Sequence, residues 1–177
     1  MSDEFPYVIE PLDKARHHRA AFSWGEPSLD NYLRTKARKD VQANVAVCYI
    51  ARPVAAESVI AGYYTLSSSG VQVTEVSPTM AKSMGNYTVI PSVLIGRLAV
   101  DTTLQGHYIG QVLLIDALRR VWDVHQQVGV KLVIVDALHE QAAQFYLKYG
   151  FVAFQDQPLR LYLPLATIGD LFVAHPS

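Results

Sequence analysis

Apolar residues near the start of the chain recur at the spacing of one face of an α-helix. After Ser28 they stand at Leu29, Tyr32, Leu33 and Ala37, which are positions i, i+3, i+4 and i+8. Serine is a favourable helix cap, and Asp30 lies in the first turn, where a carboxylate suits the helix dipole. We therefore predict one amphipathic helix over residues 28–41, capped by Ser28.

Other segments carry the patterns of strands. Residues 44–51 and 58–67 are rich in β-branched and aromatic side chains and are separated by Pro53 and polar positions, which predicts an antiparallel pair. Residues 94–100 predict a further strand, and the continuous apolar run 131–135 predicts a strand that is buried on both faces.

Each of these two later strands is followed by a predicted helix. Apolar side chains recur at helical spacing at Leu114, Ala117, Leu118, Val121 and Trp122, and again at Ala142, Phe145, Tyr146 and Tyr149. Gly150 is suited to end the second helix, after which FVAF and RLYLPL return as strands. This order of elements predicts an α/β (α+β) fold with mixed strands.

Composition limits the class of protein. The chain has 177 residues, of which 50% are hydrophobic and 18% are charged, and this balance predicts one compact domain over residues 1–177. No apolar run reaches the roughly 18 residues that span a bilayer, and the start MSDEFPYVIEPLDK lacks the basic and apolar regions of a signal peptide. We expect a cytoplasmic protein with no membrane partner.

Cys48 is the only cysteine, which excludes an internal disulfide and a multi-cysteine metal site. Its apolar neighbours predict a buried thiol on a strand. His107, His125 and His139 match no compact metal motif, so we expect no bound metal.

The segment LAVDTTLQGHYIGQVLLIDALRR predicts a strand that leads through a glycine-containing loop into a long helix. Amides at a helix N-terminus, with the helix dipole behind them, bind phosphate, and glycines let that backbone approach a ligand closely. An ordinary strand-to-helix turn explains the same glycine spacing. The residues alone therefore leave both interpretations open.

Two motifs in this part of the chain resemble those of the GNAT superfamily of N-acetyltransferases. Residues 105–110 (QGHYIG) resemble the Gln/Arg-x-x-Gly-x-Gly/Ala motif, and FYLKYGF at 145–151 resembles the later helix that carries a tyrosine. The resemblance implies the GNAT fold, a mixed central sheet with helices on both faces and a strand-loop-helix site for acetyl-CoA.

Three further segments, SWGEPSLDNYLRTKARKD, AGYYTLS and IGRLAVD, are similar to the GNAT toxins of bacterial toxin–antitoxin pairs. Members of that family acetylate the α-amine of aminoacyl-tRNA, which blocks translation, and a ribbon-helix-helix type antitoxin silences them. The resemblance therefore implies acetyl-CoA as co-substrate, with aminoacyl-tRNA and such an antitoxin as partners. We also expect a homodimer.

The resemblance also assigns residues. It implies that Tyr146 is catalytic, protonating the CoA thiolate or orienting the thioester, although a core tyrosine with a satisfied hydroxyl is the structural alternative. The backbone of Leu98, Ala99 and Val100 would bind the pantetheine arm as an added strand. The remaining positions implied to bind acetyl-CoA are Gln105, Gly106, His107, Tyr108, Ile109, Gly110, Gln111 and Phe145.

Basic residues are concentrated in the first quarter of the chain, although the net charge is only −1 and the pI is about 6.6. A solvated helix face explains such a run, and a patch for tRNA phosphates is the functional alternative. Arg97 should share a strand face with Ala99. The candidates for tRNA contact are Arg34, Lys36, Arg38, Lys39 and Arg97.

Two features depart from the family pattern. Tyr108 stands where the motif has its first glycine, and a positive φ there would cost on the order of 1 kcal/mol. The near-neutral charge is unusual for a protein that binds tRNA. Two other functions therefore remain open: an N-acetyltransferase for a small amine or a protein N-terminus, and a non-catalytic module that binds acyl-CoA or a partner.

Overall fold

A computed structural model describes residues 6–106 and 108–173. The strands are β1 (Tyr7–Pro11), β2 (Val47–Pro53), β3 (Gly62–Gln72), β4 (Val89–Val100), β5 (Leu132–Asp136), β6 (Val152–Phe154) and β7 (Gln157–Pro164). The α-helices are α1 (Pro27–Asn31), α2 (Ala37–Gln42), α3 (Pro78–Lys82), α4 (Ile109–Val124), α5 (Glu140–Leu147) and α6 (Leu165–Val173). Short 3-10 helices are Arg19–Ala21, Val73–Glu75 and Thr102–Leu104.

The strands form a seven-stranded sheet in the order β1-β2-β3-β4-β5-β7-β6. β2 pairs antiparallel with both β1 and β3, whereas β4 and β5 are parallel. β7 then pairs antiparallel with β5 and with β6. The sheet is therefore mixed, as predicted, and the predicted antiparallel pair is β2 and β3.

The chain divides into two compact units, one of Met1–Leu66 with Arg97–Ala117 and the other of Ser67–Gly96 with Leu118–Ser177. The first unit has a core around Phe22, Leu33, Ile50 and Tyr63, which are at most 1% exposed. The second has a core around Ile90, Leu132, Ile134 and Phe154. The prediction of one domain over residues 1–177 stays a prediction.

The helix predicted over 28–41 is helical from Pro27 to Gln42, but a π-helical turn, Tyr32–Lys36, separates α1 from α2. The prediction that Ser28 caps this helix was wrong. Glu26 is the N-cap and Pro27 follows it, so Ser28 lies inside the first turn. Proline suits the first helical position because its φ is fixed and the amide it lacks would have no partner there.

Strand positions were predicted better than strand ends. β4 begins five residues before the predicted start at residue 94, and β2 and β3 both begin later than predicted. Among the strands and α-helices, three had no prediction, namely β1, α3 and α6. Within residues 6–106 and 108–173, no helix is both long enough and apolar enough to cross a membrane.

Candidate active site

The C-terminal part of β4 continues past the pairing of this strand with β5. That pairing runs from Ser92 to Ile95, and β4 extends to Val100. Within the first unit, the amide of Arg97 donates a hydrogen bond to the Thr65 hydroxyl at 3.1 Å. A Cβ on Gly62 would lie 2.8 Å from the Ala99 carbonyl oxygen, so only glycine allows β3 to approach this part of β4.

The loop after β4 is held by the carboxylate of Asp101, which is 9% exposed. One carboxylate oxygen accepts hydrogen bonds from the Thr103 amide at 3.0 Å and hydroxyl at 2.7 Å, and the other accepts one from the Ser23 amide at 3.0 Å. Burial alone would raise the pKa of Asp101, but these hydrogen bonds outweigh it and lower the pKa. The ionised carboxylate therefore fixes the start of the loop.

Asp30 holds the segment of Ser23 and Trp24, which also contacts Asp101. Its carboxylate accepts from the Trp24 amide at 2.8 Å, while the Thr102 amide donates to the Ser23 carbonyl at 2.8 Å. Sequence reasoning gave no role to Asp101 and mentioned Asp30 only as a first-turn carboxylate. The signal available for Asp101 was its place directly after a strand, where such a side chain caps the next turn.

Two residues before α4 have left-handed backbone conformations. Gly106 has φ +91°, and apart from its two chain neighbours no described residue has an atom within 4 Å of the place where a Cβ would stand. Tyr108 has φ +60°. The Tyr108 side chain is 76% exposed. The positive φ considered for Tyr108 is therefore present, and its ring is directed toward solvent instead of being packed in the core. His107 lies outside the described residues.

The first residues of α4 differ in what they offer a ligand. Ile109 is 1% exposed, so its side chain belongs to the core and only its backbone can take part in binding. Gly110 is half-buried and Gln111 is exposed. Gln105 donates its side-chain amide to the Val100 carbonyl at 3.4 Å, closing the loop onto the end of β4. Amides of a first helical turn have no partner within the helix, so this turn can receive an anion.

Tyr146 lies in the second unit, on α5, and is 6% exposed. Its ring makes edge contacts with Phe145 at 5.2 Å and Phe151 at 5.5 Å between centroids. Among the described residues, no group forms a hydrogen bond with its hydroxyl. Tyr146 therefore differs from a core tyrosine whose hydroxyl has a hydrogen-bond partner, which was the structural alternative. Burial raises the pKa of the hydroxyl, so the phenol is protonated at neutral pH.

The helix that carries Tyr146 begins in a conventional way. His139 is its N-cap, and the His139 ring accepts a hydrogen bond from the Ala142 amide at 3.1 Å. This contact gives His139 a structural role that the sequence did not indicate. Phe145, half-buried, also makes an edge contact with Tyr149 at 5.2 Å.

The structure separates the five basic tRNA candidates by their surroundings. Arg34 donates to the Phe22 carbonyl at 2.9 Å, and the Arg97 guanidinium stacks 3.6 Å from the ring centroid of Tyr32. Tyr32 and Ala99 belong to the same core, in agreement with the predicted face of Arg97. The other three, which are exposed, are Lys36, Arg38 and Lys39.

Cys48 is buried, as predicted, and burial raises the pKa of its thiol to about 12. The thiol is therefore protonated at neutral pH and is not a nucleophile. Within the described ranges, no three His, Cys, Asp or Glu side chains come together in a group that could hold a metal ion.

The chain is similar to proteins of known function along most of its length, although no family model matches it. It is 31% identical to the probable toxin TacT of Sinorhizobium fredii, over 93% of this chain and 94% of the relative. It is 33% identical to the tRNA-acetylating toxin of Mycobacterium tuberculosis, over 85% of this chain and 90% of the relative.

Solved structures of GNAT toxins also resemble the chain. A structure of AtaT complexed with acetyl-methionyl-tRNAfMet matches with a TM-score of 0.86 and 31% identity, over 94% of this chain and 99% of the other. Other similar structures contain AtaT with acetyl-CoA and the C-terminus of the antitoxin AtaR, and KacT as a variant in which one tyrosine is replaced by phenylalanine.

The mixed sheet and the strand-loop-helix unit after β4, together with these similarities, define an acetyltransferase of the GNAT class. Within that class, the chain belongs to the family of GNAT toxins represented by TacT and the tRNA-acetylating toxin.

Proposed function

We propose that the chain is a toxin that transfers the acetyl group of acetyl-CoA to the α-amine of aminoacyl-tRNA and thereby blocks translation. The observation that carries the proposal is its 33% identity to a tRNA-acetylating toxin over 90% of that protein. The connection from β4 to α4 supports it, because a strand that extends past its pairing with β5 leads through a loop to the start of a 16-residue helix.

The proposal assigns acetyl-CoA to that unit. The backbone of Leu98–Val100 would bind the pantetheine arm, since β4 extends past its pairing with β5 and a peptide-like arm can add as a strand there. The pyrophosphate would be held by backbone amides from Gln105 to Gln111. Open space above Gly106 fits this role. Acetyl-CoA supplies an activated thioester, so no covalent enzyme intermediate is needed.

Tyr146 is proposed as the catalytic residue, with Phe145 beside it. KacT and AtaT were each solved with one tyrosine replaced by phenylalanine, which supports a functional tyrosine in this family. A phenol that is protonated at neutral pH and makes no hydrogen bond with the described residues is able to donate to a developing negative charge. Its raised pKa favours hydrogen-bond donation over complete proton transfer.

Recognition of the tRNA is assigned to the basic residues of the first unit. Lys36, Arg38 and Lys39 are exposed and able to contact phosphates, whereas Arg34 and Arg97 are already oriented by Phe22 and Tyr32. An amine that attacks the thioester must be neutral, and an α-amine with a pKa of about 8 loses its proton far more readily than a lysine. A dedicated general base is therefore not required.

We also propose the partners and the setting. The structures of AtaT with AtaR and of KacTA with DNA support an antitoxin as inhibitor, here of the ribbon-helix-helix type. The active form is proposed to be a cytoplasmic homodimer in which residues 1–177 act as one domain. Light scattering of the purified protein tests the homodimer, and co-purification with the product of a neighbouring short gene tests the antitoxin.

The direct test uses purified protein, acetyl-CoA and charged tRNA, with the acetylated aminoacyl product detected by mass spectrometry. We expect product that depends on both substrates and forms more slowly as salt concentration rises, because capture of tRNA is electrostatic. No product from charged tRNA, with free amines acetylated at a salt-independent rate, would indicate a small-amine acetyltransferase instead. Acetyl-CoA binding without turnover on any amine would indicate a non-catalytic module.

A further inference from the structure

A surface cavity of about 530 Å³ lies in the first unit. Its walls come from two segments that are distant in the sequence, residues 11–19 and helix α2. Four of its lining residues are basic: Lys14, Arg16, Arg19 and Arg38. The fold thus gathers in one concave place cations that the sequence distributes over 25 positions.

Most of this positive charge is not neutralised by the protein. Arg16 is paired, since its guanidinium lies 2.8 Å from the Glu10 carboxylate and 3.7 Å from that of Asp13. Lys14, Arg19 and Arg38 have no ion-pair or hydrogen-bond partner for their side chains among residues 6–106 and 108–173. Asp13, the one acidic lining residue, is already engaged with Arg16 and with the Ala15 amide at 2.8 Å.

The same cavity has an apolar component. Leu12 and Val41 line the cavity and pack against the core that contains Phe22 and Cys48, so this core fixes their positions. The Leu12 backbone is further held by a hydrogen bond from its amide to the Cys48 carbonyl at 2.9 Å. A ligand for this cavity therefore needs both an anionic group and a flat or apolar part.

We propose that this cavity binds an unpaired nucleotide of the tRNA substrate, with its phosphate on Lys14, Arg19 and Arg38 and its base against Leu12 and Val41. The identity of the RNA as tRNA rests on the proposed function. A phosphate presents several oxygens that accept from more than one cation at once. An RNA duplex holds its phosphates on a stiff outer surface, whereas an unstacked nucleotide can enter a concave site.

An acidic peptide is the competing macromolecule, and the geometry favours it less. A carboxylate has two oxygens and is matched by one guanidinium, so three cations lining one cavity exceed what a single acidic side chain can satisfy. Acidic residues of an extended peptide would be spread along a groove at about 3.3 Å per residue. In this cavity the cations instead come from a loop, a 3-10 turn and a helix around one space.

The first experiment measures binding of fluorescently labelled, uncharged tRNA at several salt concentrations. In the variant Lys14→Ala/Arg19→Ala/Arg38→Ala we expect affinity to fall about tenfold or more and the salt slope to flatten by roughly 0.7, the value for one lost phosphate contact on a single strand. The variant Lys82→Ala/Lys131→Ala/Lys148→Ala removes the same charge from the second unit and should change neither quantity comparably. Equal effects from both variants would overturn the proposal.

A charge-preserving variant separates folding from binding, and crosslinking locates the bound nucleotide. Arg19→Lys/Arg38→Lys keeps the charge and should retain most of the tRNA affinity, and all variants should melt as one cooperative transition near the temperature of the parent protein. A photo-crosslinking residue in place of Gln42, which lines the cavity, should capture an unpaired nucleotide, whereas one in place of Ser83 should not. Crosslinks only to duplex nucleotides would overturn the proposal.

The outcomes also distinguish this inference from the proposed function. If no aminoacyl-tRNA is acetylated but tRNA binding still depends on the three cations, the function fails and the nucleotide site stands. If acetylation occurs and the triple variant binds and modifies tRNA like the parent protein, the site is wrong and the function stands. If the triple variant instead loses only its affinity for the antitoxin, the ligand is an acidic peptide and the proposal is overturned.

Discussion

The two strand-to-helix connections that follow the parallel strands are built in different ways. Between β5 and α5 the chain needs three residues, and the His139 side chain caps the helix from an extended backbone with φ −157°. Between β4 and α4 it uses eight residues, a 3-10 helix capped by Asp101, and positive φ at Gly106 and Tyr108.

This difference separates a structural helix start, that of α5, from the start of α4, which is proposed to bind acetyl-CoA. In the short connection a side chain satisfies a first-turn amide, and nothing more is required of the backbone. In the long connection Tyr108 adopts a left-handed conformation that is costly for a residue other than glycine, and such strain is retained at sites where a ligand is held. The catalytic candidate, Tyr146, follows the relaxed connection, and the proposed pyrophosphate site belongs to the strained one.

The largest expected effect comes from Tyr146→Phe, on the helix of the relaxed connection. Loss of the hydroxyl should lower the rate of acetyl transfer by about 10² to 10⁴-fold, the usual contribution of a positioned proton donor. Acetyl-CoA affinity, measured by calorimetry, should change little because the ring remains. A variant that loses acetyl-CoA binding but transfers acetyl normally once saturated would show that Tyr146 is a binding residue instead.

Gly106→Ala should have the next largest effect. Apart from the chain neighbours, no described residue lies within 4 Å of the added Cβ, so the substitution acts through backbone strain alone. We expect this strain to lower the unfolding free energy by about 1 to 2 kcal/mol and to weaken acetyl-CoA binding. Gly85→Ala is the matched control for strain, since Gly85 has φ +58° and equally open space. It should lower the unfolding free energy by a similar amount and leave acetyl-CoA affinity unchanged.

His139→Ala tests the relaxed connection. Removing the cap should lower the unfolding free energy by about 1 kcal/mol, because the Ala142 amide loses its hydrogen bond. Denaturant unfolding measures this change, and His139→Asn should restore most of the loss. Acetyl-CoA affinity should not move. If it fell as far as in Gly106→Ala, the distinction between the two connections would not hold.

Tyr108→Gly tests the strained connection in the opposite direction. Glycine relieves the positive φ but adds freedom to the unfolded chain, so we expect a gain of up to about 1 kcal/mol in unfolding free energy. Little packing is lost because the ring is 76% exposed. Acetyl-CoA binding should tighten as the backbone reaches the phosphate more closely. Weaker binding would indicate that the tyrosine ring itself contacts the ligand.

Asp101→Asn should lower the unfolding free energy at neutral pH, where the parent carboxylate is ionised, and this difference from the parent protein should shrink in acid. The folded state lowers the pKa of Asp101, so its carboxylate adds stability above the unfolded pKa of about 3.9, and that stability is lost as pH falls through the folded value. The parent protein should therefore lose stability below about pH 4 more steeply than the variant. Parallel pH profiles would mean that the hydrogen bonds from Ser23 and Thr103 do not depend on ionisation.

Local pattern was sufficient where an element is long and periodic. The strands at 94–100 and 131–135 and the helices that follow them were predicted because one repeating interaction, burial of an apolar face, determines their spacing. Short elements were not predicted. The strand β1 has five residues, including a proline and a glutamate, and the π-helical turn Tyr32–Lys36 preserves the apolar face on which the helix prediction rested.

The sequence by itself determined the order of the long strands and helices, the motif at 105–110 and the tyrosine-bearing segment at 145–151, because each depends on residues close together in the chain. Only the tertiary structure decided what surrounds them. Ser23 reaches Asp101 across 78 positions, and Lys14 and Arg19 meet Arg38 at one cavity. Contacts between distant segments follow from how the whole chain buries its apolar faces, and no short stretch of sequence contains that information.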